Sequence, residues 1–158
     1  MIKQIQITDI ERCVFVIRES FSTVAKEFNL TKENCPNHTS FMKAEKLQEH
    51  CDSGYLMYGY CLDENIVGYV SLSKQDNNAY ELHNLAVLPE YRHFGYGKEL
   101  LEFCKDKAKE LGGDKILLDM IEENVRLKSW YAANGFVHTG IKKFENKPFI
   151  TGFMELKI

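Results

Sequence analysis

A glycine-rich turn joins a strand-like run to a helical run near the middle of the chain. The strand-like run is ELHNLAV, the turn carries Arg92, Gly95 and Gly97 in the pattern R-x-x-G-x-G, and the helical run is KELLEFCKDKAKEL. Because glycine adopts backbone angles that other residues resist, such a turn can leave backbone N–H groups free beside the positive end of a helix dipole. This arrangement favours binding of an anion, most often a phosphate.

The apolar periodicity around this turn predicts the secondary structure. Alternation of apolar and polar residues indicates strands, and apolar residues at three- and four-residue steps indicate helices. Before the turn, the pattern predicts a strand at 2–7, helices at 8–29 and 43–51, and strands at 55–62, 66–73 and 79–87. After it, the pattern predicts a helix at 98–111, a strand at 115–120, a helix at 124–134, and strands at 136–144 and 150–158. Thr8 and Glu11 form a predicted capping box at the start of the first helix.

This order of elements predicts an α/β (α+β) protein with a mixed, mostly antiparallel central sheet flanked by helices. The chain has 158 residues, of which 44% are hydrophobic and 27% charged, as expected for a single domain over 1–158. Its net charge of −3 provides no basic field for nucleic acid, so a nucleic-acid partner is disfavoured. We see neither an apolar signal peptide nor a membrane-spanning run, and we expect no membrane partner and a cytoplasmic location.

The five cysteines are an odd number without a C-x-x-C pair, which indicates reduced thiols rather than a disulfide framework. Cys35 and His38, together with His50 and Cys51, offer the ligand types that zinc prefers. Adjacent residues of a helix point about 100° apart, however, so His50 and Cys51 cannot easily face one ion. We therefore predict no metal site.

Two phosphate-binding patterns are absent from the sequence: the P-loop G-x-x-x-x-G-K-[ST], and the three-glycine dinucleotide fingerprint. The segment LAVLPEYRHFGYGKELL, followed after one strand by NVRLKSWYAANGF, instead resembles the acetyl-CoA signature of the GCN5-related N-acetyltransferase (GNAT) superfamily. The resemblance covers nearly the whole chain, since the order of elements also matches. It implies a GNAT-like acyl-CoA N-acyltransferase fold, with acetyl-CoA as co-substrate and an amine as acceptor.

The resemblance also implies roles for individual residues. It assigns the pyrophosphate to the turn formed by Arg92, His93, Phe94, Gly95, Tyr96, Gly97 and Lys98. It assigns the pantetheine arm to the strand residues Leu85, Ala86 and Val87 and to Asn124. Tyr131 matches the tyrosine near the thioester sulfur and could protonate the leaving thiolate. Tyr131 could alternatively only fill the core, and Asn124 could only cap its helix.

Two residues of the strand before the turn are candidates for the catalytic base. The period of two in a strand places Glu81 and His83 on one face, about 7 Å apart. By position, Glu81 matches the general base of histone-acetylating members of the superfamily, and His83 matches a histidine of an arylalkylamine-acetylating branch. Alternatively, Glu81 is a structural ion-pair partner and His83 is only a polar residue of the strand.

Two functions from different classes remain open. The first is an N-acetyltransferase in which an acceptor amine attacks acetyl-CoA directly, and the second is a non-catalytic module that binds or senses acyl-CoA. Retention of Tyr131 and Glu81 favours the enzyme, because a binding module needs no acid beside the sulfur. The acceptor is a small amine or a peptide amine that the sequence does not identify, and we expect the 31–41 loop near it. The oligomeric state is open, with a homodimer as one candidate.

Overall fold

The computed structural model describes residues 1–158 and contains one seven-stranded sheet flanked by four α-helices. The strands are β1 (Ile2–Gln4), β2 (Leu56–Leu62), β3 (Asn65–Lys74), β4 (Ala79–Val87), β5 (Lys115–Ile121), β6 (Val137–Lys143) and β7 (Ile150–Lys157). The helices are α1 (Ile10–Glu27), α2 (Ala44–Asp52), α3 (Tyr96–Glu110) and α4 (Val125–Ala133). Short 3₁₀ turns occupy Ile7–Asp9, Thr39–Phe41 and Pro89–Tyr91.

The strands lie in the order β1-β2-β3-β4-β5-β7-β6, and only β4 and β5 pair in parallel. The predicted mixed, mostly antiparallel sheet is therefore confirmed. Helix α3 connects the parallel pair, as a crossover between parallel strands requires. None of the helices combines the length and the apolar character needed to cross a bilayer.

The two parallel strands separate after a short contact. Their pairing covers only Ala79–Glu81 against Lys115–Leu117, whereas β5 stays paired with β7 through Ile121. In β4, the register against β3 shifts beside Asn84, which has a left-handed φ of 54°. An extra residue of this kind bends a strand and increases its twist. The second half of β4 thus presents an edge to β5 that carries no strand partner.

Helices cover both faces of the sheet. On one face, Leu100 of α3 lies against Gly68 of β3, and the α3 residues Leu100, Leu101, Cys104 and Ala108 are completely buried. On the other face, α1 buries Cys13, Val16 and Ile17, and α2 buries Leu47. Leu111, the last residue of the predicted helix 98–111, lies beyond the end of α3 at Glu110 and is exposed.

The start of α1 differs from its prediction. Thr8 lies inside the first 3₁₀ turn, so the capping box predicted from Thr8 and Glu11 is wrong. The backbone N–H of Gln6 instead donates to the Asp9 carboxylate at 2.9 Å, and the Lys3 ammonium donates to the same side chain at 3.2 Å. Because these contacts turn the chain before Thr8, β1 is shorter than predicted and ends at Gln4.

Candidate active site

A cavity of about 1330 Å³ opens where β4 and β5 separate. Its walls come from α1, the 31–41 loop, β4, the glycine turn, β5, α4 and the loop between β6 and β7. Small-molecule sites usually occupy roughly 300–1,000 Å³. The cavity is therefore large enough for a long ligand together with a second molecule.

The glycine turn presents a row of free amides to this cavity. Gly95 caps α3 with φ of 87°, and His93 also has a left-handed φ, of 69°. The backbone N–H groups of residues 93–98 donate no hydrogen bond within the protein, and the first one used in the helix is that of Glu99, which donates to Gly95 O at 3.0 Å. Successive free amides at a helix N-terminus form a binding site for an anion.

The side chains of the turn lie around these amides. A Cβ atom on Gly97 would lie 3.7 Å from Val87 and 3.9 Å from Trp130, so glycine keeps the space between β4 and α4 open. The Tyr96 ring stacks on Tyr60 with centroids 4.4 Å apart. The other side chains of the turn, His93, Phe94 and Lys98, are exposed.

Arg92 braces the turn against α1. Its guanidinium donates to Ser20 O at 2.8 Å, to Ser20 Oγ at 3.2 Å and to Thr23 Oγ1 at 3.2 Å. Its Nε donates to Val87 O at 3.3 Å. Burial lowers the pKa of Arg92, but an arginine keeps its charge at neutral pH. All three guanidinium nitrogens are thus engaged inside the protein.

Arg92→Ala is therefore expected to lower stability more than affinity for the anion. The loss of several hydrogen bonds from one charged group should decrease the free energy of unfolding by about 2–3 kcal/mol. Thermal or urea unfolding measures this loss, with Arg92→Lys as the variant that keeps the charge but not the fork of donors. A stable Arg92→Ala protein with lost ligand binding would contradict this role and indicate direct contact with the ligand.

Tyr131 and Asn124 combine a packing role with a place in the cavity wall. The Asn124 side chain accepts the N–H of Leu127 at 3.2 Å and caps α4, while the residue also lines the cavity. The Tyr131 ring packs edge-on against Trp130 and Phe136, at centroid distances of 5.1 and 5.4 Å, and lines the same cavity. Burial, and then the nearby Cys104, raises the pKa of the Tyr131 phenol, so it holds its proton at neutral pH.

Glu81 and His83 share one face of β4 at the point where the strands separate, and Leu85, Ala86 and Val87 continue along the free edge. The Glu81 carboxylate lies 3.8 Å from His83 Nε2. That nitrogen also contacts Ser73 Oγ at 2.7 Å. Burial, and then His50, lowers the pKa of His83 to about 4, so the imidazole is neutral at pH 7 and does not form an ion pair with Glu81.

The carboxylate of Asp119 is a site residue that the sequence analysis missed. Glu81 pairs with Leu117, so Asp119 lies two residues further along β5 on the same face. Although its side chain is exposed to solvent, it lies within the cavity, where the surrounding protein raises its pKa. Burial, and then Asp119, raises the pKa of Glu81. An acidic residue at an alternate position of the apolar run KILLDM was the available signal.

The cysteine and histidine residues weighed as zinc ligands lie apart. Cys35 packs against Ala25, Leu30 and Ile121. His50 stacks on Tyr55 at a centroid distance of 4.4 Å. No group of three His, Cys, Asp or Glu side chains is arranged to hold a metal ion.

Comparison with known proteins matches residues 21–136 to the Acetyltransferase (GNAT) family. An uncharacterised N-acetyltransferase encoded in the pepI 3′ region of Lactobacillus delbrueckii subsp. lactis is 24% identical over 159 aligned positions, covering 96% of this chain and 89% of that protein.

Two solved structures also align. One is the PaiA N-acetyltransferase of Thermoplasma acidophilum in complex with coenzyme A, with a TM-score of 0.81, 26% identity and coverage of 100% of this chain and 98% of the other. The other is a protein of Bacillus anthracis str. Ames assigned as a streptothricin acetyltransferase, in complex with acetyl coenzyme A, with a TM-score of 0.61, 28% identity and coverage of 66% and 62%. The chain therefore belongs to the GNAT family of acetyltransferases.

Proposed function

We propose that the protein transfers the acetyl group of acetyl-CoA to an amine by direct attack within a ternary complex. The chain is an acetyl-CoA-dependent N-acetyltransferase of the GNAT family. The observation that carries the proposal is the junction of a partnerless strand edge with the free amides of residues 93–98. A long ligand with a diphosphate at one end matches this junction.

The residues of the cavity fit acetyl-CoA in three places. The amides of residues 93–98 would hold the diphosphate, and Gly97 leaves room for it. The free edge of Leu85–Val87 would pair with the amide groups of the pantetheine arm, as an added strand pairs with a sheet edge. Asn124 and Tyr131 line the same cavity at the other wall.

The transfer needs a neutral amine, because an ammonium group has no lone pair with which to attack the thioester carbonyl. The amine nitrogen forms the new bond to the carbonyl carbon, and a backbone N–H of β4 near Val87 stabilises the oxygen that becomes negative. Collapse of this adduct breaks the carbon–sulfur bond. Tyr131 then donates its phenolic proton to the departing thiolate, and Glu81 takes the proton that the amine loses, directly or through a water.

Glu81 is a better base than His83 in this arrangement. Its raised pKa brings the carboxylate closer to neutral pH, which is where a general base works best. The Nε2 atom of His83 is occupied by Ser73, and the lowered pKa of His83 makes it a weak proton acceptor. In this proposal His83 is a neutral polar residue that is hydrogen-bonded to Ser73 and lies beside Glu81.

Glu81→Gln is expected to lower the rate by roughly tenfold near pH 7, because water and Asp119 can replace only part of its action. The loss should shrink as the pH rises, since the amine then deprotonates without help. His83→Gln is the matched variant on the same strand, and its kcat/KM should fall less than that of Glu81→Gln at every pH. A constant loss across pH in Glu81→Gln would indicate that Glu81 positions the amine rather than removing its proton. Measurement of kcat/KM from pH 6 to 10 distinguishes these results.

An acceptor panel tests the proposed function directly. Release of the CoA thiol is followed for small amines, amino acids and peptides, and products are identified by a mass increase of one acetyl group. We expect at least one amine product. Tight acetyl-CoA binding without thiol release for any amine would favour the non-catalytic acyl-CoA-binding module instead.

The natural acceptor in this proposal is a small amine or a peptide amine.

The protein is proposed to act in the cytoplasm. All five cysteines are free, which favours a reducing compartment of this kind.

A further inference from the structure

His38 forms a fixed part of the cavity wall on the side of α1. It begins the 3₁₀ turn Thr39–Phe41, and its ring lies edge-on between Phe21 and Phe41, with centroids 6.1 and 6.4 Å away. Phe21 and His38 both line the cavity. The ring is thus held by packing on two sides, and its orientation is determined before any ligand enters.

One ring nitrogen of His38 is already used by the protein. The backbone N–H of Ser40 lies 3.2 Å from Nδ1, and Ser40 Oγ lies 2.7 Å from the same atom. A backbone N–H can only donate, so Nδ1 must be the acceptor and carries no proton. In the neutral ring the proton is therefore on Nε2. Burial lowers the pKa of His38 to about 4, so the ring is neutral at pH 7.

The other nitrogen, Nε2, has no hydrogen-bond partner in the protein, and it is not sealed off from solvent. It is therefore an oriented N–H donor without an acceptor, on a residue of the cavity wall. An acceptor that covers this atom removes it from water, so an acceptor without a matching oxygen would leave the donor unpaired, and a site of this kind discriminates strongly.

We propose that His38 selects the acceptor by donating its Nε2–H to an oxygen atom carried by the amine substrate. This inference rests on the proposed acetyl transfer and specifies the class of acceptor. The chemistry required is an amine with a hydrogen-bond-accepting oxygen close to it, either the carbonyl of an amino acid or peptide or the hydroxyl of an amino alcohol. A simple polyamine at neutral pH offers only N–H donors and cannot pair with His38.

Charge around the acceptor side does not select a class by itself. Glu33 of the 31–41 loop and Asp119 of β5 line the cavity, and so does Lys147 of the β6–β7 loop. Lys147 lies close enough to Asp119 to oppose the rise in the pKa of that carboxyl. Because both signs are present, the oriented neutral donor of His38 is the more discriminating feature.

The test uses three amines that share the phenethylamine unit: phenethylamine itself, phenylalaninol and phenylalaninamide. On the carbon that bears the amine, the second adds a hydroxymethyl group and the third a carboxamide, whereas the first carries no oxygen. For each, kcat/KM is measured with the wild type and with His38→Phe, which keeps the ring packing but removes the donor. We expect His38→Phe to lower kcat/KM about tenfold for an oxygen-bearing amine and less than about twofold for phenethylamine. His38→Gln, which retains an N–H, should recover part of the loss.

The relative loss on the carbonyl and hydroxyl compounds identifies which oxygen binds. An equal loss on all three amines would overturn the inference, because it would show a structural role for the ring. Acetylation of phenethylamine with no acetylation of either oxygen-bearing amine would overturn it too, while leaving acetyl transfer intact. If none of these amines and no amine of the wider panel is acetylated, the proposed function is contradicted, and the inference with it.

An independent readout needs no acceptor. Nitrogen-15 spectra of the histidine rings report which nitrogen carries the proton. We expect His38 to be protonated at Nε2 in the wild type across pH 6 to 8. Protonation at Nδ1 would overturn the inference, even if the protein acetylates amines.

Discussion

The double change Gly95→Val and Gly97→Val is expected to weaken acetyl-CoA binding by about 100-fold or more, equivalent to about 2.7 kcal/mol. Gly95 has φ of 87°, a conformation that is strongly unfavourable for a β-branched residue, so its replacement should displace the amides that follow. A side chain at Gly97 would fit beside Val87 and Trp130 but would occupy the space that the diphosphate requires. Both effects act on the row of free amides at residues 93–98.

Gly112 offers a matched control for this experiment. It has φ of 86°, nearly that of Gly95, but lies beyond the other end of α3, and a Cβ atom there would meet nothing within 4 Å. Gly112→Val should therefore show a similar strain-related loss of stability without a loss of affinity. Calorimetric titration with acetyl-CoA compares the two proteins, and circular dichroism verifies that each is folded. Wild-type affinity in the folded double variant would mean that the turn does not hold the diphosphate.

Tyr131→Phe is expected to reduce kcat by roughly 100-fold while the dissociation constant of acetyl-CoA stays nearly the same. The change keeps the ring packed against Trp130 and Phe136 and removes only the hydroxyl. The raised pKa of this phenol means that it is protonated and ready to donate throughout the neutral range. Without it, the thiolate must leave unprotonated or take a proton from water.

Tyr58→Phe is the matched control, because Tyr58 is an equally buried tyrosine that packs on Phe103 and does not line the cavity. It should retain wild-type kcat. If Tyr131 only fills the core, Tyr131→Phe should behave like Tyr58→Phe, with a small change in unfolding temperature and no change in kcat. Pre-steady-state and steady-state rates with an accepted amine distinguish the two outcomes.

The order of the strands and helices was predictable because it depends on local periodicity and on glycine and proline signals. The turn at Arg92, Gly95 and Gly97 was predictable for the same reason. The start of α1 was not. Thr8 has the residue type of a cap, but the chain turns earlier, at Gln6, whose backbone N–H donates to the Asp9 carboxylate, and Lys3 of β1 pairs with the same carboxylate. Residue types alone did not show which of these neighbouring polar side chains would cap the turn.

Features of the site that depend on contacts between residues far apart in the chain could not be predicted from the sequence either. Arg92 finds its partners at Ser20 and Thr23, 72 and 69 residues away. The place of Asp119 beside Glu81 follows from the register of β4 and β5, which no local pattern reveals. The position of Asn84 in a left-handed conformation, at the irregularity where β4 bends, is likewise visible only in the folded chain.

A crystal structure of the protein with acetyl-CoA would show whether the gap between β4 and β5 holds this co-substrate. We expect diphosphate oxygens to accept hydrogen bonds from amides of residues 93–98, and the pantetheine arm to pair with Leu85–Val87. We also expect the thioester sulfur to lie within reach of the Tyr131 hydroxyl. Arg92 should keep its contacts with Ser20 and Thr23. Acetyl-CoA bound outside the gap between β4 and β5, or held with its diphosphate away from the glycine turn, would contradict this assignment of the co-substrate site.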